Sequence, residues 1–134
     1  MKKIFILVFQ ICILFGCTAD KKPTENPDTD CVSTVVAPVS EVVVPAVAQV
    51  GQNIEIIITY WITSGCGNFL KFEETNVGNQ KTIKVIAKYG GCVCTLPVFE
   101  LQTVYNFVPT SAGIYTIRVD KGDGTFLTQE ININ

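Results

Sequence analysis

The sequence predicts an all-β protein built as a single antiparallel sandwich, and two observations carry that prediction. From residue 31 onward apolar residues recur with period two, as in NIEIIITYWI at residues 53–62, the pattern of a strand with one buried face. Turn-forming residues recur about every 8 to 12 residues, the spacing typical of a sandwich. No stretch of this part has the period of an amphipathic helix, and its many β-branched residues favour strands.

This alternation predicts about seven strands. The second strand is expected to turn four large apolar side chains toward the core, namely Ile54, Ile56, Ile58 and Tyr60. The predicted strands cover residues 32–44 (with an interruption at Pro38), 53–62, 68–74, 81–88, 98–107, 114–119 and 125–133.

Residues 1–16 have the features of an export signal. Lys2 and Lys3 precede an almost unbroken apolar run from Ile4 to Phe15, which gives the charged and apolar regions of a secretory signal peptide. The run is too short to cross a hydrocarbon core of roughly 30 Å, which needs about 20 helical residues. We therefore expect a signal peptide rather than a spanning helix.

The end of this run, Leu14-Phe15-Gly16-Cys17, resembles the lipobox of bacterial lipoproteins. The resemblance implies cleavage before Cys17 and attachment of acyl chains such as palmitate to that cysteine, which would hold the protein on a membrane of the bacterial cell envelope. Two or three chains give stable retention, whereas a single chain binds reversibly. By the same resemblance, Thr18 rather than Asp after the cysteine implies the outer membrane or cell surface rather than the inner membrane. The alternative is an ordinary signal peptide, or an uncleaved anchor, with a chance cysteine.

Residues 17–30 are expected to form the lipidated N-terminus and a disordered linker, because TADKKPTENPDTD (18–30) combines two prolines with six charges and offers little to pack. Residues 31–134 then leave 104 residues for the domain, enough for one hydrophobic core.

Loss of Lys2 and Lys3 with the signal changes the formal net charge from −2 to −4. This mild acidic balance, with no basic cluster, argues against a nucleic-acid partner.

The stretch PTSAGIYTIRV, residues 109–119, resembles the turn and tyrosine corner that open the sixth strand of immunoglobulin-like domains. Within it, Ser111 to Tyr115 matches the corner, and Ile117 stands where antibody domains carry a core cysteine. The resemblance is therefore to the wider group of bacterial immunoglobulin-like domains. It implies a sandwich of about seven strands with a hydrogen-bonded Tyr115 hydroxyl, and it does not identify a function.

Four cysteines remain after the signal, namely Cys31, Cys66, Cys92 and Cys94. In an up-and-down count of strands, the start of the first strand and the loops after the second, fourth and sixth strands lie at one end of the sandwich. All four cysteines fall in these places, and an exported protein meets an oxidising compartment. We therefore expect two long-range disulfides, because a bridge across C-x-C closes a small, strained ring. The pairing is either 31–92 with 66–94 or 31–94 with 66–92.

Two sharper interpretations of these cysteines fit less well. Four thiolates at one end could bind Zn²⁺ or Cu⁺, but the spacing lacks the C-x₂-C pairs of structural zinc sites. A thiol-redox centre favours C-x-x-C at the start of a helix, which lowers the thiol pKa. The sequence provides neither feature, so structural disulfides remain the favoured interpretation.

Catalytic chemistry has little support. The chain has no histidine, which removes Ser-His-Asp and Cys-His mechanisms and the commonest general base. Glu73 and Glu74 point to opposite sides of a strand, and a solvated strand end explains them more simply. The stretch DKGDGT (120–125) lacks the ligand count of a Ca²⁺ loop and is better explained as a hairpin turn. We predict no enzymatic activity, no cofactor and no bound metal.

One surface stands out as a place for a partner. If Ile56 and Ile58 face the core, then Ile57 and Trp61 face outward, where a sandwich normally shows polar groups. They would contact a protein, a glycan or a second copy, unless the N-terminal segment or a loop covers them.

The sequence leaves two function classes. The first is a membrane-tethered, non-catalytic module acting in binding, adhesion or envelope assembly. The second is an accessory lipoprotein that handles metal or thiols through its four cysteines.

Overall fold

The computed structural model describes residues 31–134 and contains nine β-strands in two sheets. This confirms the all-β sandwich expected from the sequence. Among the described residues no helix is long and apolar enough to span a membrane. The predictions for residues 1–16 and 17–30, including Cys17, lie outside this part of the chain. The strands are β1 (Val32–Val36), β2 (Val39–Val43), β3 (Val47–Ala48), β4 (Ile54–Ile62), β5 (Gly67–Val77), β6 (Gln80–Gly90), β7 (Phe99–Phe107), β8 (Gly113–Asp120) and β9 (Phe126–Ile133).

The larger sheet has six strands in the order β1-β6-β8-β9-β3, with β5 on the other edge of β6, and the smaller sheet has the order β2-β4-β7. Neighbouring strands are antiparallel except for two parallel pairs, β3 with β9 and β6 with β8. The parallel pairs had no sequence signal, because the alternation within a strand does not reveal which strand lies beside it. The edge strands β5 and β7 lie on the same side of the sandwich.

The first predicted strand, 32–44, is divided between the two sheets. The Ala37 amide donates to the Val85 carbonyl of the larger sheet at 2.8 Å, whereas the Pro38 carbonyl accepts from the Trp61 amide of the smaller sheet at 2.8 Å. Proline has no amide hydrogen to continue the first ladder, so the chain crosses between the sheets here. This crossing, together with the short β3, gives nine strands where the sequence predicted about seven.

The hydrophobic core fills the space between the sheets. The four β4 side chains predicted to face inward are all buried, which confirms the alternation in that strand. The described residues 31–134 contain a hydrophobic core of their own and two disulfides, features typical of a unit that folds by itself. The largest fully buried side chains are Ile54, Ile56, Ile58, Ile62, Ile83, Ile117, Ile131, Ile133, Val85, Val119 and Pro109.

One edge of β6 is shared by two strands. β8 pairs with its first part, up to Ile83 opposite Val119, and β1 pairs with the rest, from Ile86 opposite Val36. The turn after β8 therefore stops against the end of β1: Gly122, at φ +83°, would place a Cβ only 3.2 Å from the Val36 carbonyl oxygen. This turn was predicted at the cysteine end of the sandwich, and that prediction was wrong: the turn lies short of that end because β1 occupies the remaining edge of β6.

Candidate functional site

The four domain cysteines meet at one end of the sandwich, which we call the disulfide pole. Cys31 precedes β1 and bonds to Cys92, while Cys66 precedes β5 and bonds to Cys94, with Cα–Cα distances of 4.9 and 5.5 Å. Both disulfides expected from the sequence are present, in the first of the two pairings that it left open. They fasten the start of β1 and the β4–β5 connection to the loop between β6 and β7.

Pairing limits what the pole can do chemically. A thiolate is the form of cysteine that attacks disulfides and binds soft metals, and all four sulfurs are held in disulfides. Among residues 31–134, no cluster of three or more Asp, Glu or Cys side chains could hold a metal ion. The pole therefore serves as a clamp on three connections of the fold.

The loop that the disulfides clamp, residues 91–98, carries two strongly exposed apolar side chains: Val93 is 94% exposed and Leu96 is 88% exposed. The Gly65 amide donates to the Thr95 carbonyl at 3.0 Å, which ties the loop to the β4–β5 connection. Gly91 allows the sharp exit from β6 at φ +136°, and a Cβ there would lie 3.2 Å from the Cys66 sulfur. The cysteines of this loop were predicted from the sequence as site residues, whereas its two exposed apolar residues were not.

The predicted surface on β4 lies on the outward face of the three-stranded sheet. Ile57 is exposed, as predicted, whereas Trp61 is half-buried. In the sheet register Val43 of β2 and Val104 of β7 lie on either side of Ile57. The three are 48%, 37% and 43% exposed in the order Val43, Ile57 and Val104. They form a row across the whole sheet, which we call the apolar row.

Polar residues border the apolar row on both sides. Glu55 and Asn106 face each other on one side, and Thr59 and Gln102 face each other on the other. The amide of Gln102 donates to the Thr59 hydroxyl at 3.4 Å. An apolar strip between polar rows has the layout of a small protein interface, with an apolar centre and a polar rim. The contribution of Val43 and Val104 depends on strand register, which the sequence did not reveal.

An aromatic seam closes the side of the sandwich where β5 and β7 are both edge strands. Phe69 packs against Tyr60 and Phe72 at ring-centroid distances of 6.4 and 4.9 Å, and Phe72 meets Tyr105 edge to face at 5.2 Å. Aromatic rings prefer tilted and edge-to-face arrangements like these, and such pairs stabilise a fold beyond the burial of their apolar area. Toward the disulfide pole, Leu101 continues the inward face of β7 and remains exposed.

A charged cluster continues the seam away from the disulfide pole and joins the two sheets. The Tyr105 hydroxyl of β7 donates to the Glu74 carboxylate of β5. The Lys81 ammonium of β6 lies 3.5 Å from that carboxylate and donates to Asn76 at 2.8 Å. It also lies 5.2 Å from the Phe107 ring centroid, a favourable position for a cation. The ammonium charge of this buried lysine is thus balanced by the Glu74 carboxylate within the fold.

The cluster changes the ionisation of two of its members. The hydrogen bond from the Tyr105 hydroxyl, with help from Lys81, lowers the pKa of Glu74. Burial, followed by the hydrogen bond to Glu74, raises the pKa of Tyr105. The sequence interpretation of solvated carboxylates holds for Glu73, which pairs with the exposed Lys71 at 2.8 Å. Glu74 also remains exposed, but its hydrogen bond to Tyr105 of β7 was not predicted.

An open cleft of about 380 Å³ lies at the opposite end of the sandwich, between the β5–β6 turn and the β7–β8 connection. Tyr115, the predicted corner tyrosine, lines it, and its hydroxyl is 2.9 Å from the Ser111 hydroxyl. The tyrosine ring packs on Phe107 at a centroid distance of 5.3 Å. The corner hydroxyl is thus paired, and its partner is a side chain within the same turn.

The DKGDGT stretch forms the hairpin turn between β8 and β9, as the sequence predicted. The Lys121 amide donates to the Thr125 carbonyl at 2.9 Å and closes the turn. Asp120 accepts from the Gly122 amide, and Asp123 accepts from Thr125. Their carboxylates therefore stabilise the turn itself, which explains these residues without a bound Ca²⁺.

Comparison with known proteins places the domain in a family. No curated protein and no solved structure matches the chain. A family model described as the ORF11 beta-sandwich domain matches residues 56–133, more than half of the chain. The match begins inside β4 and includes three of the four domain cysteines, whereas β1, β2, β3 and Cys31 precede it. The chain therefore belongs to the ORF11 beta-sandwich family.

Proposed function

We propose that this protein is a non-catalytic binding module of the bacterial cell envelope. In this proposal acyl chains on Cys17 hold it to a membrane, and the domain of residues 31–134 engages a protein partner. The support for attachment is the signal-like residues 1–16 and their lipobox-like end. The support for a binding role is the surface of the domain.

The apolar row is the observation that carries the binding role. Three β-branched side chains, Val43, Ile57 and Val104, lie exposed side by side on a sheet face that normally shows polar groups. Neighbouring strands are about 4.8 Å apart, so the row extends roughly 10 Å across the sheet. Covering these side chains would remove apolar surface from water, which is the main driving force of protein association.

The chemistry of the row favours a protein over a glycan. Sugars are commonly held against an exposed aromatic ring, whereas the row consists of aliphatic side chains. Trp61, the aromatic residue predicted for this surface, is half-buried. Its neighbour across the sheet is Glu100, whose carboxylate accepts from the Ser40 hydroxyl at 3.2 Å.

Site-specific photo-crosslinking in cells tests this role. A photoreactive amino acid replaces Ile57 on the row, and in a matched control it replaces Thr128, an exposed residue on β9 of the other sheet. We expect a discrete protein adduct from position 57 and none from position 128, and the Val43→Asp substitution should remove the adduct. Equal adducts at both positions, or no adduct at position 57, would contradict the proposed partner surface.

The sequence also left open an accessory role in handling metal or thiols. That role needs cysteines available as thiolates, and the paired sulfurs of the disulfide pole do not support it. We therefore propose only the binding module.

A further inference from the structure

We propose that the loop of residues 91–98 docks the disulfide pole onto the membrane to which the chain is attached, with Val93 and Leu96 entering the lipid surface. This inference rests on the membrane attachment in the proposed function and is independent of the apolar row. The occupant of the loop's apolar surface is thus lipid, rather than a protein or a second copy of the chain.

The exposure of the loop is the first argument. Val93 and Leu96, at 94% and 88%, are the most exposed large apolar side chains of the described residues, followed by Val77 at 69%. The loop sequence GCVCTLPV carries no charge, so no ionic group must be dehydrated when its tip enters lipid. Apolar side chains that lie at a membrane interface contribute through the area they bury there.

The rigidity of the loop is the second argument. Val93 lies between Cys92 and Cys94, and the two cysteines bond to different parts of the fold. The Gly91 amide donates to the Cys31 carbonyl at 3.1 Å, which fixes the loop's entry. A loop held at this many points cannot fold back to bury its own side chains. Because the loop is already ordered in the free protein, no conformational entropy is lost in ordering it at a surface. Such preorganisation strengthens binding.

The position of the membrane attachment is the third argument and selects lipid as the occupant. The disulfide pole contains Cys31, the first described residue, and Cys31 is bonded directly to the loop. The chain from Cys17 to Asp30 has 14 residues, which span at most about 50 Å when fully extended. Attachment at Cys17 would therefore keep the loop within reach of the bilayer, which raises the effective concentration of lipid at its tip.

Fluorescence on vesicles tests the inference without relying on acylation of Cys17. Residues 18–134 carry a polyhistidine tag at the N-terminus and are held on vesicles of phosphatidylethanolamine, phosphatidylglycerol and a nickel-chelating lipid. In a Trp61→Phe background, Leu96→Trp reports on the loop. Val77→Trp is the matched control at the opposite end of the sandwich. We expect Leu96→Trp emission to shift to the blue and to lose at least half its intensity with bromine-labelled acyl chains.

The control should show neither change, and adding Val93→Asp to the Leu96→Trp variant should reduce the quenching at least twofold. Unquenched Leu96→Trp emission on loaded vesicles, or equal quenching of the control, would overturn the inference. A dimer in solution that Val93→Asp dissociates would also overturn it, by assigning the loop to a second copy. If Trp61→Phe lowers the folded fraction, Trp61 is retained in every variant, and the emission of the protein that has Trp61 alone is subtracted. Acylation of Cys17 is measured separately. Its absence would not change the vesicle result, because the tag holds the protein on the vesicles.

Discussion

Removing one disulfide at a time should destabilise the domain in an order set by the chain length that each bridge closes. The Cys31–Cys92 bridge spans 61 residues and the Cys66–Cys94 bridge spans 28. In the chain-entropy model these loops contribute about 4.3 and about 3.6 kcal/mol, respectively, by restricting the unfolded chain. The double variant Cys31→Ala, Cys92→Ala should therefore lose about 0.7 kcal/mol more than Cys66→Ala, Cys94→Ala.

Urea denaturation of residues 18–134 measures the difference. With an m-value of about 1.5 kcal/mol/M, the two midpoints should differ by about 0.5 M. Mass spectrometry of non-reduced peptides from the unmutated chain first verifies the pairing and should show no free thiol among the four domain cysteines. Midpoints in the reverse order, with matching m-values, would refute the loop-length reasoning. Peptides joining Cys31 to Cys94 would refute the pairing on which it depends.

Two further predictions concern the hydroxyl groups that the fold pairs. Tyr115→Phe should lower the free energy of unfolding by about 1 kcal/mol. Its effect should be non-additive with that of Ser111→Ala in a double-mutant cycle, because the two hydroxyls are hydrogen-bonded to each other. Strictly additive effects would contradict a stabilising Ser111–Tyr115 hydrogen bond. The lowered pKa of Glu74 contributes stability that is present above the ordinary value of 4.5 and is lost as the pH falls through the lower folded value. Tyr105→Phe should flatten this acid limb of a stability–pH curve, and an unchanged slope would contradict the role of the hydrogen bond.

The sequence contained most of the information needed for the sandwich. The alternation in β4 predicted its buried face, because successive side chains of a strand point to opposite faces, one toward the core and the other toward solvent. The bounds of β7, β8 and β9 were each predicted to within about a residue, since the glycine, proline and aspartate signals between them are strong. Lateral strand order was less accessible. The parallel pairing of β6 with β8 follows from contacts that no local pattern encodes.

The candidate surfaces were only partly predictable for the same reason. Ile57 was found because its neighbours Ile56 and Ile58 fix the direction of its side chain. Val43 and Val104 belong to distant strands, and they join Ile57 only through the sheet register. Glu74 looked like an ordinary acidic strand residue, because its partner Tyr105 lies 31 residues away on the other sheet. A lone charge in a strand gives no sign of a partner across the sandwich.

The proposed location in the cell envelope depends on membrane attachment, so acylation of Cys17 is its most direct test. Cells producing the full chain are labelled with a palmitate analogue, and the wild type is compared with Cys17→Ala. We expect the wild type to be labelled and recovered with membranes, whereas Cys17→Ala should be unlabelled and should remain unprocessed or leave the membrane fraction. Equal labelling of the two proteins, or no labelling of the wild type, would contradict it.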